Sequence, residues 1–297
     1  MAWKIGTAAG VATPPGRGCG GNDPGRGRGV RRIPGMTAPV LLVLALTPGL
    51  QGDAGPAYSL FHPVPADRMR ALASDRPDAT ESPITVDSGH LQFEVSVVDW
   101  TRDRGRDRFV GLQTNAKVGL TQSTDLQLVV DPYVVEDGAA GSRAEGFGDV
   151  TTRLKWNLWG NDGGDTSFAL LPFATFPVGG EVGGSEVQGG LALPFASSLG
   201  EVSLGLMASF DAVYDEAEDR HELEVLHTAV AGFTLDASTG AYLEYAGTAG
   251  ADDYLATVNM GLTRTLSPDL VLDVGARVGL SSAADDLGLF VGFTRRF

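Results

Sequence analysis

The sequence predicts an all-β fold, a twelve-stranded antiparallel transmembrane β-barrel of the outer-membrane type. Three observations predict it. Hydropathy alternates with period two from Leu91 to Phe297, the alternating segments are too long for an ordinary soluble sheet, and their connections alternate between tight and extended.

The chain has 297 residues, 41 of them glycine, and a net charge of −15. Such a charge argues against a nucleic-acid partner, which needs a basic face. The charge is also split. Residues 1–35 hold six basic side chains (Lys4, Arg17, Arg26, Arg28, Arg31, Arg32) and one acid, Asp23, which leaves −20 for residues 36–297. This basic leader is rich in Gly and Pro, shows no periodicity and reads as disordered. It holds the only cysteine, Cys19. A mature chain without it has neither disulfides nor thiolate metal sites.

Residues 36–55, "MTAPVLLVLALTPGLQGDAG", read as a signal peptide. The apolar run Ala38–Leu46 is about the length of a signal-peptide core and falls far short of a transmembrane helix. Arg31 and Arg32 supply the positive flank, and small residues follow toward Gly52–Gly55. A short core helix is the competing reading, and Met36 is an alternative start. Residues 56–90 are polar and broken by Pro77 and Pro83, with room for one short helix around Ala66–Ala73. They read as a periplasmic N-terminal segment: either a free linker or a partial plug. In the plug reading Asp75, Arg76, Asp78 and Glu81 pair with charges of the barrel interior.

From Leu91 onward twelve alternating segments follow, at about 91–100, 108–120, 126–135, 147–159, 167–176, 187–196, 201–214, 222–235, 240–248, 254–266, 270–280 and 287–297. They are nine to fourteen residues long, against about 5–6 for a soluble strand and about 9–11 for a tilted strand that crosses a bilayer. In "VGLQTNAKVGL", Val110, Leu112, Thr114, Ala116, Val118 and Leu120 share one face, and Gly111, Gln113, Asn115, Lys117 and Gly119 the other. Five connections are tight, such as "GNDGGD" and "SPD". Six are mostly longer and rich in charge or glycine, such as "TRDRGRD", "EDGAAGSRAE" and "DEAEDRH". Five inner turns and six outer loops suit twelve strands with both termini on the periplasmic side.

The last segment, "LGLFVGFTRRF", ends on an aromatic residue with no tail. In a closed barrel the final strand pairs with the first and cannot fray. Phe293 and Phe297 therefore read as an interface anchor and assembly signal, with the barrel-assembly machinery and outer-membrane lipid as partners. Arg295 stands where such a signal usually has an apolar residue, and its side chain can snorkel. A secreted β-sandwich fits the alternation but not the strand length, the loop asymmetry or the terminal phenylalanine.

"DRPDATESPITVDSGHLQFEV" before the first strand, "GFGDVTTRLKWNLWG" at the fourth, and the C-terminal strand resemble the bacterial outer-membrane family described as "putative MetA-pathway of phenol degradation". The likeness spans about residues 75–297. It implies a barrel in the bacterial outer membrane that passes small organic, hydrophobic or aromatic solutes. It implies no catalytic residues and no cofactor.

The residues themselves offer little chemistry of another kind. His62, His90, His221 and His227 form no metal-ligand pair, and His221 and His227 lie about 20 Å apart if both are on one strand. The eighth segment leaves open whether His227 faces lumen or lipid. No Gly-x-Ser-x-Gly motif occurs, so an outer-membrane hydrolase has only a chance Ser–His meeting to rest on. "VGGEVGG" lacks Lys and reads as a flexible loop, not a phosphate cradle. The predicted lumen carries both signs: Lys117, Arg153, Lys155, Arg277 and Arg296 against Glu94, Asp131, Asp149, Asp211, Glu244 and Asp273, with Gln113 and Asn115 between. Such a mixture serves as a stiffening ion-pair network, as a polar constriction for solutes, or as both. The reading is a passive channel for an unidentified small molecule, with a structural or adhesive barrel of closed lumen as the alternative.

Overall fold

The long alternating segments form strands that close into a ring. The computed structural model describes residues 58–138, 141–250 and 253–297; the leader, the signal segment and Cys19 lie outside the described residues. The strands are β1 (Leu91–Asp103), β2 (Arg106–Thr121), β3 (Thr124–Val130), β4 (Tyr133–Asp137), β5 (Arg143–Gly146), β6 (Val150–Trp159) and β7 (Thr166–Phe176). They continue with β8 (Gln188–Leu199), β9 (Val202–Asp215), β10 (Arg220–Asp236), β11 (Thr239–Ala249), β12 (Leu255–Ser267), β13 (Leu270–Gly279) and β14 (Leu287–Arg296). All pairings are antiparallel, and β1 pairs with both β2 and β14, so the sheet closes. β3 and β4 lie end to end against β2, and β6 and β5 continue beside them. The fourteen strands thus build twelve staves.

The break between β3 and β4 falls at Pro132, which lacks the N–H that a ladder needs. Gly148 N–H donates to the Asp131 carbonyl at 2.9 Å and ties the next stave across the gap. At the same height β1 and β2 each hold an extra residue. Ser96 pairs with Gln113 and Val98 with Gly111, which leaves Val97 and Leu112 between them. Leu112 takes φ 57° and is exposed on the outside. One extra residue reverses the faces beyond it. Asn115 and Lys117 are buried on one side of this bulge, and Val110 is buried on the other. The expected common outer face of Val110 and Leu112 is therefore corrected: Val110 points inward.

Two connections also differ from expectation. "TRDRGRD" is no long loop, because β1 and β2 run almost to its tip and meet at Arg104 and Gly105, both with positive φ (49° and 80°). That is the geometry of a two-residue hairpin turn. Residues 177–187, expected to be flexible, fold back toward the axis. Val182 is buried against Val110 and Val134, and Gly184 N–H donates to both oxygens of Asp149 at 2.9 and 3.1 Å. Gly183 takes φ +115°, and a Cβ there would meet Asp149 Oδ1 at 2.5 Å.

The inside and outside of the ring are inverted relative to a soluble protein. The largest fully buried side chains include Lys155, Gln92, Gln127, Glu244 and Asn259. Leu126, Leu128, Leu206, Phe210, Leu243, Leu262, Val274 and Val291 are exposed on the outer face. An apolar surface wrapped round a polar interior suits hydrocarbon, where a closed ladder leaves no edge unpaired. Among the described residues no helix is long and apolar enough to cross a membrane.

The terminal strand is secured where the ring closes. Phe297 N–H donates to the Leu91 carbonyl at 2.8 Å. Its ring meets that of Phe93 edge-on at 5.9 Å, and the Arg295 guanidinium lies 5.4 Å from it. Phe293 sits on the same strand, opposite Val95 and Leu272.

Candidate functional site

Residues 73–87 run inside the ring, and the proof is topological. Between Ala73 and Asp87 this segment bonds to β1, β2, β3, β6, β10, β11, β13 and β14. Staves on opposite sides of a closed ring can be reached together only from its interior. The one-turn helix Ala66–Arg68 is shorter than the Ala66–Ala73 helix expected, because the chain goes extended at Met69.

Asp75 is the centre of the network. Its carboxylate accepts from Lys155 Nζ at 2.6 and 2.9 Å and from Lys117 Nζ at 2.5 Å. Lys117 also donates to Glu94 at 2.5 Å. Arg76 forms a bidentate pair with Asp273 at 2.6 and 3.0 Å, the geometry that matches a guanidinium to a carboxylate. Glu81 pairs with Arg153. The backbone N–H groups of Ala79 and Thr80 donate to Glu244 at 2.9 and 2.8 Å. Asn157 donates to the Pro83 carbonyl at 2.9 Å, and Val86 N–H to Asp125 at 2.9 Å. Where the segment passes β2, Gly119 leaves room that a Cβ would fill with the Asp87 carbonyl.

Electrostatics follow from this packing. Burial alone raises the Asp75 carboxyl, but Lys117, Lys155 and Arg153 outweigh it and hold Asp75 well below the usual carboxylate range. Burial likewise opposes ionisation of Glu81, and Arg153 outweighs it to lower that group too. Asp78 goes the other way: burial, then the Glu244 carboxylate, push it well above the usual range. The expected grouping of Asp75, Arg76, Asp78 and Glu81 thus contains three ion-paired side chains and one disfavoured anion.

The other singled-out residues are placed as follows. Arg277 forms a two-pronged pair with Asp99 and lies 5.0 Å from the Phe290 ring. Arg296 bridges Asp269 and Asp87 and donates to the Arg70 carbonyl. Gln113 donates to Asp131 at 2.7 Å, Asn115 to Gln127 at 3.2 Å, and Ser209 to Asp211 at 2.5 Å. His227 lies between Leu226, which packs inward, and buried Thr228, so it faces outward. There it hydrogen-bonds Tyr254 Oη at 2.8 Å beside Tyr245. His221 bonds the Val187 carbonyl at 2.8 Å. Sequence reading missed Asp87, Asp99, Asp125 and Asn157 as partners of these groups; inward parity on β1, β3 and β6 was the signal available for the last three. Among the described residues no His, Cys, Asp or Glu cluster has metal-binding geometry.

Beyond the Glu81–Arg153 pair, toward the end of the barrel away from the termini, lies a cavity of about 140 Å³. One wall is apolar, with Leu171, Ala192, Met207 and Leu226 in contact. The facing wall is polar and carries Gln113, Asp131, Asp149 and the Arg108–Glu136 pair.

A closed ring of twelve staves with an apolar exterior, a polar interior and a side cavity defines a β-barrel of the outer-membrane type. The chain belongs to the family described as "Putative MetA-pathway of phenol degradation", whose model matches residues 74–297. Among solved structures it is similar to a NanC porin, at 8% identity over 69% of this chain and 98% of that one, with a TM-score of 0.50. An anion-selective porin from Comamonas acidovorans (11% identity, 70% and 98% covered, TM-score 0.37) and OmpT, an outer membrane protein of Vibrio cholerae (12%, 76% and 99%, TM-score 0.36), are more distant in shape. These likenesses concern the fold. No curated protein matches the sequence.

Proposed function

We propose that the chain is a passive channel of the bacterial outer membrane for small organic solutes, with its periplasmic half obstructed by residues 73–88. The observation that carries the reading is the cavity of about 140 Å³ directly beyond the Asp75–Lys117–Lys155 network. A chamber with one apolar and one polar wall that ends on a tethered segment is what a gated pore contains. The family description names phenol degradation, which makes aromatic compounds candidate cargo. In this orientation the turns at Thr121–Thr124 and Asn161 face the periplasm and the Arg104–Gly105 hairpin faces outward.

A barrel of about eight strands fills itself with side chains and one of about 16–18 leaves an aqueous channel. Twelve staves fall between, so a single segment suffices to block the lumen. The test is planar-bilayer conductance of the full chain against a variant lacking Asp75–Pro83. The channel reading expects larger unitary conductance in the deletion, with the barrel still heat-modifiable. A second reading, a structural barrel, is favoured by the ion pairs that join segment and staves across the lumen. It expects a silent membrane for both proteins.

A further inference from the structure

We propose that the lumen binds dipolar solutes, molecules that carry a carboxylate and a guanidinium or ammonium group on one short chain, at two opposed sockets that Asp75 and Arg76 fill in this structure. The proposal deepens the channel reading and rests on it for the passage of the solute; the sockets themselves stand on geometry.

Charges that only stiffen a wall pair within the wall. Arg277 does so with Asp99, Arg296 with Asp269, and Arg108 with Glu136. Three wall charges do not. Among the described residues the ion-pair partners of Lys155 and Arg153, both on β6, are Asp75 and Glu81 of the segment. Asp125 faces Lys155 across the ladder but is taken up by Val86 N–H and Gln127. On β13 the ion-pair partner of Asp273 is Arg76, again from the segment. Lys155, Arg153 and Asp273 are all buried. A buried charge without a partner is costly, so a wall that keeps these three is shaped for an occupant that is not part of it.

The two sockets differ in chemistry. In the first, Lys155 and Lys117 Nζ reach the Asp75 carboxylate at 2.6 and 2.5 Å, with Arg153 at 3.9 Å. In the second, Asp273 takes the Arg76 guanidinium in a two-pronged pair. Gly292 lies directly across the ladder from Asp273, and a Cβ there would collide with Arg76 Nη2, so the glycine clears the floor of the socket. Around the ring β13 is reached from β6 in five steps through β3, β2, β1 and β14, and in seven the other way. The sockets therefore face each other across the lumen. Adjacent residues of the segment reach opposite walls with opposite charges, and together they trace the ligand that fits. A field set between such walls orients a dipolar solute. A solute of one charge satisfies one wall and leaves the other unpaired.

The sockets also adjoin the chamber. Arg153 lines it. A void of about 20 Å³ touches both Asp75 and Arg76 and shares Gln113 and Val129 with the chamber wall. A solute in the chamber stands beside both sockets, where it competes with the segment.

The test uses the purified full-length barrel in detergent, with Asp75→Ala and Arg76→Ala together to empty the sockets. The probes in equilibrium calorimetry are 6-guanidinohexanoate, hexanoate and butylguanidinium. Joining the two charged ends should make 6-guanidinohexanoate bind at least about tenfold more tightly than either half. Adding Asp273→Asn should remove its advantage over hexanoate, and adding Lys155→Met its advantage over butylguanidinium. The parent, whose sockets are filled, should bind it at least about tenfold more weakly than the double variant. Heat-modifiability reports folding; should the double variant not fold, the barrel lacking Asp75–Pro83 carries the same comparison. Three probes binding within about twofold of one another, an advantage untouched by both added substitutions, a parent that binds as tightly as the variant, or no binding of any probe would overturn the proposal. Binding is measured without conductance, so the two readings fail separately. A silent bilayer with tight binding of 6-guanidinohexanoate would sink the channel and leave the sockets standing, and a conducting barrel that binds the three probes alike would do the reverse.

Discussion

Replacing Asp75 by Asn tests the lumen network at its centre. The substitution keeps the side chain's shape and removes its charge. Lys155 and Lys117 Nζ lie 2.6 and 2.5 Å from the carboxylate, with side chains 1% and 2% exposed. Lys117 keeps Glu94 at 2.5 Å, whereas Lys155 loses the carboxylate it touches. Removing one partner of a buried pair costs about 3–5 kcal/mol, since the other charge is left in a poor dielectric. Because the ladder does not depend on the segment, most of that cost falls on docking. The docking equilibrium should shift by about two to three orders of magnitude. The assay is the rate of proteolysis within residues 73–88 of the purified barrel, with heat-modifiability to show that the ring is intact. Cleavage should accelerate markedly, and Lys155→Met added to Asp75→Asn should restore most of the protection by removing the stranded cation. A single variant cleaved within about twofold of the parent, or a double variant cleaved faster still, would refute the reasoning.

Three further outcomes follow from the same geometry. Asp75 and Glu81 have lowered carboxyls, so their stabilisation exists above the unfolded value of about 4 and is lost only as pH falls through the lower folded values; protease protection of the segment should persist at about pH 4 and fail below it. Asp78 is raised, so its stabilisation is full below about pH 4 and is lost as pH rises through the folded value; Asp78→Asn should gain thermal stability over the parent at about pH 7 and not at about pH 3.5, and an equal gain at both would count against the argument. Deleting Phe297 removes the ring packed on Phe93 and should lower the heat-modifiable fraction in the outer membrane, while a tag in Glu216–Asp219 should be reachable on intact cells and one in Asn161–Gly164 should not.

The staves were legible in the sequence because alternation is local: Leu126 and Leu128 against Asp125 and Gln127 declare a strand without any partner. The reversal of faces at Leu112 was not legible. An extra leucine at positive φ leaves no mark in a period-two pattern, and only Pro132 in the neighbouring stave hints at it. The charges of the site were legible as a mixture of signs, and Asp75, Arg76 and Glu81 could be singled out by their place before β1. Their pairing could not, since Arg76 meets Asp273 across 197 positions and Arg296 meets Asp87 across 209. The inward fold of residues 177–187 was missed because its apolar anchor, Val182, looks no different in sequence from Val178 and Val187, and its polar anchor is a backbone N–H, that of Gly184.

The placement of residues 73–90 also bears on the mechanics of the wall itself. β1 and β14 meet at the seam where the two ends of the sheet join. On one side of that seam Gln92 holds the Ala73 carbonyl and Lys117 holds Asp75. On the other, Ser74 bonds Thr294, Arg76 grips Asp273, and Arg296 clasps Asp87 and the Arg70 carbonyl. The segment is a staple set across the joint from within. Parting β1 from β14 means tearing the ladder and the staple together, so the seam is reinforced against sideways release of the lumen's contents into lipid. In the channel reading, traffic is therefore directed along the axis, and the residues that obstruct the axis are the same ones that keep the wall shut.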